Sequence, residues 1–426
     1  MSRTRENEAG VAGLVRSTVE RALGTPLPVG VSAWDGSRAG PTQGPRVVLR
    51  RARALRHLLW SPGELGAARA FVSGDLDVEG DLVEGLRRCW EVARQYSPRR
   101  HFPPYRHWWE LGRAAVRLGA LGPRPPVPTC EARLSGTRHS RARDRSVISH
   151  HYDLGNEFYE LLLDPTLTYS CGYFTDERDD LETAQYNKLD LVCRELGLRP
   201  GQRLLDVGCG WGSLVVHAAR NHGVRANGIT LSRQQYEYAN NRIERLGLGD
   251  LASVRLLDYR DLTDRPYDAV ASLEMGEHVG ADNYPTYLAS LFRMLRPHGH
   301  LLLQQMSRGS KAPGGGAFIE SYIAPDMTMT PVGHTLDRLE TAGFEIRGVR
   351  ALREHYARTV RLWERRLHEH ESEALRILGA QRYRVWRLYL AGGGLAFAEN
   401  RMGVDQILAT RPEQDGGHTL FPGEGK

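Results

Sequence analysis

One stretch constrains the fold more than any other: RLLDVGCGWGSLVVHAAR, residues 203–220. Five strand-like residues run into Gly208, Gly210 and Gly212, and an apolar helical pattern follows. Glycines at such a junction permit a tight turn and let a ligand approach the backbone closely. Asp206 stands just ahead of them, and the spacing is G-x-G-x-G, not the G-x-G-x-x-G of the dinucleotide fingerprint. A P-loop is excluded, because no Gly-Lys-Ser/Thr follows. Around this turn the apolar runs VRANGIT, SVRLLD, YDAVASL and GHLLLQQM alternate with helical stretches. Short buried strands alternating with helices predict an α/β fold, a mostly parallel sheet with helices on both faces.

The turn resembles that of the S-adenosylmethionine (SAM) methyltransferases, a Rossmann-like fold in which it faces the amino-acid part of SAM. On that resemblance Asp206, Gly208, Cys209 and Gly210 hold the cofactor, Cys209 through its backbone. The second strand ends GITLS (228–232), without the acid that binds the ribose in many members, so Thr230, Ser232 and Gln235 would supply the hydrogen bonds. The third ends LLDYRDL (256–262) and places Asp258 to accept from the adenine amino group, with Tyr259 beside it.

With 426 residues the chain has room for more than one domain. Residues 1–95 read as a small N-terminal α+β domain: AGLVRSTVERAL and DLVEGLRRCWEVARQ as helices, PRVVLRR as a strand. Residues 96–145 read as a basic, Pro- and Arg-rich linker, and 146–415 as the catalytic domain. Between 91 and 150 there are twelve arginines against four acids. HFPPYRHWWELGRAAVRLGALG, within that zone, has the mix of rings and arginines that suits a membrane face. The whole chain carries a net charge of +6, with only three lysines (Lys188, Lys311, Lys426) beside 54 arginines. Arginine's planar fork suits phosphate oxygens, so an anionic lipid surface is an expected partner; GC-rich coding is the plainer account. No apolar run is long enough to span a bilayer, and MSRTRENEAG has no apolar h-region. The five cysteines are widely spaced with no CxxC pair, which argues against a disulfide framework or a structural zinc site, so no metal is expected.

Three further stretches, HHYDLGNEFYELLLDPTLTYSCGYF (150–174), LEMGEHVGADNYPTYL (273–288) and HYARTVRLWERRL (355–367), resemble the cyclopropane-fatty-acyl-phospholipid synthase and mycolic acid methyltransferase family. The likeness runs from about 145 to 410, and GELGAARAFVSGDLDVEGDL (63–82) resembles the leading domain of the full-length synthases. The resemblance implies that Tyr169 and Ser170 contact SAM and that a bicarbonate ion, held by Cys171, Glu277 and Tyr356, is the catalytic base. A fourth ligand, a histidine in the family, falls on Gln304, which can hydrogen-bond but carries no charge. A late cysteine once proposed as catalytic falls on Gly393, which excludes thiol chemistry there. Gln304 and Glu274 resemble the branch that makes methylene- or methyl-branched chains of the tuberculostearate kind, whereas His278-Val279-Gly280 looks like the ring-forming branch; His278 is a further candidate catalytic residue.

The chemistry explains these residue types. Methyl transfer to an alkene carbon leaves a cation on its neighbour, so the site must exclude water, stabilise positive charge and remove one proton. Aromatic faces stabilise cations, and Tyr169, Tyr173, Phe174, Tyr356 and Trp363 are candidates. Proton loss from the transferred methyl closes a three-membered ring; a hydride shift first gives an exocyclic methylene. The segment 307–331 reads as a lid or acyl channel, with Met306, Phe318, Ile319, Tyr322, Ile323, Met327 and Met329 as lining.

The expectation is a SAM-dependent enzyme of unsaturated phospholipid acyl chains, cytoplasmic and peripheral on the inner membrane face. A homodimer stays open, as does a reductase partner for a methyl branch. A small-molecule C-methyltransferase and a non-catalytic lipid- or SAM-binding protein are the other readings. A nucleic-acid methyltransferase lacks its Asn-Pro-Pro-Tyr-like motif or Pro-Cys nucleophile, so no nucleic-acid partner is expected.

Overall fold

The structure is a computed structural model that describes residues 10–95, 112–132, 135–152, 154–309 and 316–413. Contacts divide the chain into two compact units, Met1–Glu131 with Leu378–Leu395, and Ala132–Ile377 with Ala396–Lys426. The aromatic half of the expected membrane-facing stretch, 101–111, and residues 310–315 of the expected lid lie outside the described residues.

The first unit is built on strands β1 (Gly30–Ala33), β2 (Arg38–Ala39), β3 (Arg46–Leu49) and β4 (Leu76–Glu79), in the order β2-β1-β3-β4. β1 and β3 run parallel, and the other two pairings are antiparallel. Helices Val11–Leu23, Arg53–Trp60, Glu64–Val72 and Leu82–Gln95 complete it. Its core joins Val31, Leu49, Ala54 and Ala70 to Ala114, Leu118 and Ala120. Residues 112–131 of the expected linker belong with this unit, because Ala114, Leu118 and Ala120 bury their side chains in its core. Residues 378–395 enter the same unit through Ala391, packed with Phe71 and Leu82, and through Arg384, which donates to the Phe71 and Leu76 carbonyls. Gly379, at φ 72° and ψ 165°, interrupts the helical run Glu371–Ala398 just where the chain changes unit.

The second unit holds a seven-stranded sheet: β5 (Arg203–Val207), β6 (Arg225–Thr230), β7 (Ala252–Leu256), β8 (Tyr267–Leu273), β9 (Leu295–Arg308), β10 (Glu345–Ala351) and β11 (Met402–Thr410). The order is β10-β11-β9-β8-β5-β6-β7; β11 is antiparallel to both its neighbours, and every other pairing is parallel. The alternation of side chains along a strand feeds two cores. Leu204, Ala269, Ala271 and Leu302 face helices Leu181–Glu195, Ser213–His222 and Arg233–Arg245. Leu205, Val207, Val270, Leu301 and Leu303 face helices Tyr284–Met294 and Val332–Thr341. This is the expected α/β architecture. Chain order reverses on either side of β5, so a crevice opens at the carboxyl ends of β5 and β8, where such sheets bind ligands. Asp180 and Ser232 cap two of the flanking helices by accepting from the Thr183 and Gln235 amides.

Candidate active site

β5 delivers the glycine turn to that crevice. Gly208, Gly210 and Gly212 all have φ between 54° and 81°, the left-handed region that disfavours a side chain. A Cβ on Gly208 would stand 2.9 Å from Met275 Cβ, whereas one on Gly210 would meet nothing within 4 Å. Gly208, Gly210, Thr230, Gln235, Tyr259, Glu274, Met275 and His278 share one cleft. Beneath the turn, Asp206 is 2 % exposed and its Oδ1 has no hydrogen-bond partner. Burial lifts its pKa to about 7, against the pull of Lys188. An orphaned buried carboxylate beside an open glycine cradle suits a ligand that brings a donor or a positive charge. The amino-acid part of SAM does so, and the residues present fit that cofactor.

The other expected cofactor residues divide. Thr230 Oγ1 donates to Gln235 Oε1 at 2.7 Å and accepts from the Ser232 amide at 3.1 Å, so the three form one small network at the end of β6. Ser232 serves it as the helix cap. The Asp258 carboxylate is held by Arg260 at 2.6–2.8 Å, which in turn donates to Asp144. Tyr259, not Asp258, lines the cleft. Cys209 tucks its side chain toward Gly228, consistent with a backbone role in the turn. Ser170 Oγ accepts from Lys188 Nζ at 3.0 Å, and Tyr169 rests against Trp363 and Tyr159 with ring centroids 5.1 and 5.8 Å apart.

The catalytic cluster departs from expectation in one instructive way. Its donors converge on Glu274, not on Glu277 or on an open ion site. Glu274 Oε1 accepts from the Cys171 amide at 2.9 Å and from Gln304 Nε2 at 2.6 Å; Oε2 accepts from Tyr356 OH at 2.5 Å. Gln304 Oε1 accepts in turn from Gln406 Nε2 at 2.9 Å, across adjacent strands β9 and β11. These are the groups that the family resemblance assigns to bicarbonate. A side-chain carboxylate already takes their hydrogen bonds, and a second anion there would face a like charge. With those donors engaged by Glu274, the residues as placed do not fit an added bicarbonate. Burial raises the Glu274 pKa, while Cys171 N–H, Tyr356, Gln304 and Lys188 favour its charged form. A carboxylate more basic than usual yet supported as an anion is suited to take a proton.

Glu277 is fully buried, takes one long bond from the Met306 amide at 3.4 Å, and leaves Oε2 without a partner. Burial first and the Glu274 charge second push its pKa to about 8, so it is mostly protonated at neutrality. The Cys171 thiol turns to the Gly172 and Leu352 carbonyls, and burial raises its pKa well above the ordinary value; only its amide enters the cluster. His278 lines the cleft with its pKa lowered by burial to about 4, so it is a neutral ring there. Of the aromatic candidates, Tyr169, Trp363 and Tyr356 form one wall, with Phe397 stacked on Tyr356 at 4.4 Å. Tyr173 and Phe174 instead pack on His355.

Sequence reasoning missed Lys188 and Gln406 as site residues. Lys188 had a signal: it is one of three lysines in an arginine-rich chain. Burial lowers its pKa, and Glu274, Asp164 and Asp206 oppose that shift. Gln406, in a strand of ordinary appearance, had none.

The sheet order and the glycine cradle together define a SAM-dependent methyltransferase. A family model of mycolic acid cyclopropane synthetases matches residues 139–407, and the chain belongs to that family. A probable fatty acid methyltransferase of Mycobacterium tuberculosis (strain ATCC 25618 / H37Rv) is 38% identical over 92% of this chain and 93% of its own. The tuberculostearic acid methyltransferase UfaA1 of the same strain is 30% identical over 95% and 92%. The solved mycolic acid cyclopropane synthase CmaA1, complexed with SAH and CTAB, aligns with a TM-score of 0.59 at 30% identity, over 62% of this chain and 98% of that one.

Proposed function

We propose that the protein methylates a double-bond carbon of an unsaturated acyl chain in a phospholipid, with Glu274 as the base. The observation that carries this reading is the convergence of Cys171 N–H, Gln304 and Tyr356 on the Glu274 carboxylate. SAM, when bound, would supply a methyl group on a positively charged sulfur and leave as the neutral thioether once the methyl–sulfur bond breaks. The glycine turn, Asp206, Thr230, Gln235, Tyr259, Tyr169 and Ser170 would hold it. Attack by one alkene carbon leaves a cation on its neighbour, and the Tyr169–Trp363–Tyr356 wall offers ring faces to positive charge. The Glu274 carboxylate then accepts one proton from the alkylated chain and becomes a neutral acid. Glu277, protonated beside it, adds no second charge. Phe318, Tyr322, Ile323 and Met329 are buried around helix Gly316–Tyr322 and would line the acyl path.

Loss of the proton from the transferred methyl closes a cyclopropane ring. A second reading, a methylene- or methyl-branched chain, is supported by the Glu274–Gln304 pair, which resembles the branched-chain branch of the family and stands at the centre of the cluster here. A methyl branch would also need a reductase. The test is lipid analysis of cells expressing the protein. Acyl chains heavier by one CH₂ are expected, with NMR separating ring from methylene; unchanged acyl masses despite folded, SAM-binding protein would overturn the proposal.

A further inference from the structure

We propose a tetrahedral metal site, suited to zinc, formed by Cys193, His217, His222 and Asp190 between helices Leu181–Glu195 and Ser213–His222, its first two ligands buried and its last two half-buried. Among the described residues, Cys193, His217 and His222 offer one sulfur and two ring nitrogens that all lie within 4.8 Å of one another. Asp190 Oδ1 stands beside the two histidines, 3.3 Å from His222 Nε2 and 4.0 Å from His217 Nε2, and is the nearest candidate for a fourth ligand. Cys193 is fully buried and His217 is 7 % exposed, and the Nε2 atoms of both histidines are buried with no hydrogen-bond partner. Two buried imidazole nitrogens and a buried thiol gathered within 4.8 Å, with a carboxylate beside the histidines, offer a borderline-soft N₂SO donor set, which is zinc chemistry.

The surroundings fit a ligand site. Asn221 Nδ2 lies 3.0 Å from His217 Nδ1; turning that amide end for end would bring its oxygen to accept the Nδ1–H and leave the Nε2 lone pair for the ion. The Tyr186 ring covers His217 edge-on, and Arg194 holds the other oxygen of Asp190 at 2.9 Å. His222 also borders a cavity of about 460 Å³ shared with Arg199, Gln202 and His298, which gives an ion a way in. Binding draws the four atoms toward the roughly 3.3–3.8 Å separations of a tetrahedral zinc and releases the Cys193 proton to solvent. With four protein ligands the site is closed and structural. It would tie the helix that carries Lys188 and Gln185 to the helix that follows the glycine turn. Spacing conceals it in the sequence: Asp190 and Cys193 are one helical turn apart, but the histidines come from a second helix with β5 between, and no CxxC announces the site.

The test uses the full chain, purified without chelator or affinity metal. About one zinc per chain should survive dialysis, and X-ray absorption should show one sulfur at about 2.3 Å among nitrogen or oxygen ligands at about 2.0–2.1 Å. Cobalt(II) exchanged into the wild-type chain should give the intense visible bands of a tetrahedral site and a thiolate charge-transfer band. Cys193→Ala and His217→Ala should lose both metal and bands, while Cys209→Ala keeps them. If wild-type protein neither retains zinc nor yields a tetrahedral cobalt spectrum, the proposal fails. It fails equally if folded C193A or H217A binds the metal as the wild type does. Because the wild-type spectrum is decisive, a variant that does not fold leaves the test intact.

Discussion

At φ 55° the backbone of Glu274 occupies a region that costs a residue with a side chain about 1–2 kcal/mol. Its amide is fixed there by the Gln304 carbonyl at 2.7 Å, and the conformation brings the carboxylate under three donors. Tyr356 stabilises the charged form, so removing its hydroxyl should raise the Glu274 pKa. A base acts when ionised; activity should therefore be present above that pKa and lost as pH falls through it. Tyr356→Phe is expected to move the acid limb of the kcat–pH profile to higher pH. Turnover near neutrality should drop about 10–100-fold, the worth of a hydrogen bond to a charge. Calorimetry should find SAM affinity almost unchanged; an unmoved limb would refute the contact's role. At this scale the sequence was a partial guide. Cys171, Gln304 and Tyr356 were legible as members of one cluster. What they surround was not, because a motif pairs residue types and does not say which of two acids three positions apart, Glu274 or Glu277, takes the hydrogen bonds of these donors.

Among the elements, strands carry the site. β8 ends at Leu273, one residue before Glu274, and β9 sets Gln304 between Leu273 and Gln406 in register. Strands β5 to β9 could be read from their apolar runs, since strands buried on both faces need little else. β10 and β11 could not: EIRGVRA leaves most of its side chains in solvent or half-buried, and MGVDQILAT buries Asp405 and Gln406 among its apolar residues. The glycine turn was legible because its φ values demand glycine. Gly208→Ala would combine a φ of 81° with a Cβ placed 2.9 Å from Met275. It should lower stability by about 1–3 kcal/mol and weaken SAM binding together. Thermal unfolding with and without SAM checks this; a variant with wild-type Tm and affinity would contradict the strained-cradle account.

For the whole molecule, the arginine surplus has two uses. Part of it closes ion pairs inside each unit, as Arg69 with Glu131, Arg143 with Asp326 and Arg260 with Asp258. The rest contributes to the net charge of +6. Among the described residues no helix is long and apolar enough to cross a membrane. The proposed substrate is a membrane lipid, and arginine-led docking on a lipid surface is open to test. Binding to vesicles should strengthen with anionic lipid and weaken as salt shortens the screening length to about 8–10 Å. Sedimentation with neutral and anionic vesicles measures it, and equal binding to both at all salt levels would rule out arginine-led docking. The split of the zone 96–145 near residue 131 was not legible, because proline and charge mark a surface but not the core that Ala114 and Leu118 join.

The most direct measurement is single-turnover methyl transfer by Glu274→Gln, with SAM binding followed on the same sample. Glutamine keeps the size and an acceptor oxygen but cannot take the proton. The account predicts SAM affinity close to wild type and a rate lower by about 10²–10⁴-fold, whether or not bicarbonate is added. A rate within a few-fold of wild type, or a wild-type enzyme that stops when bicarbonate is removed, would contradict it.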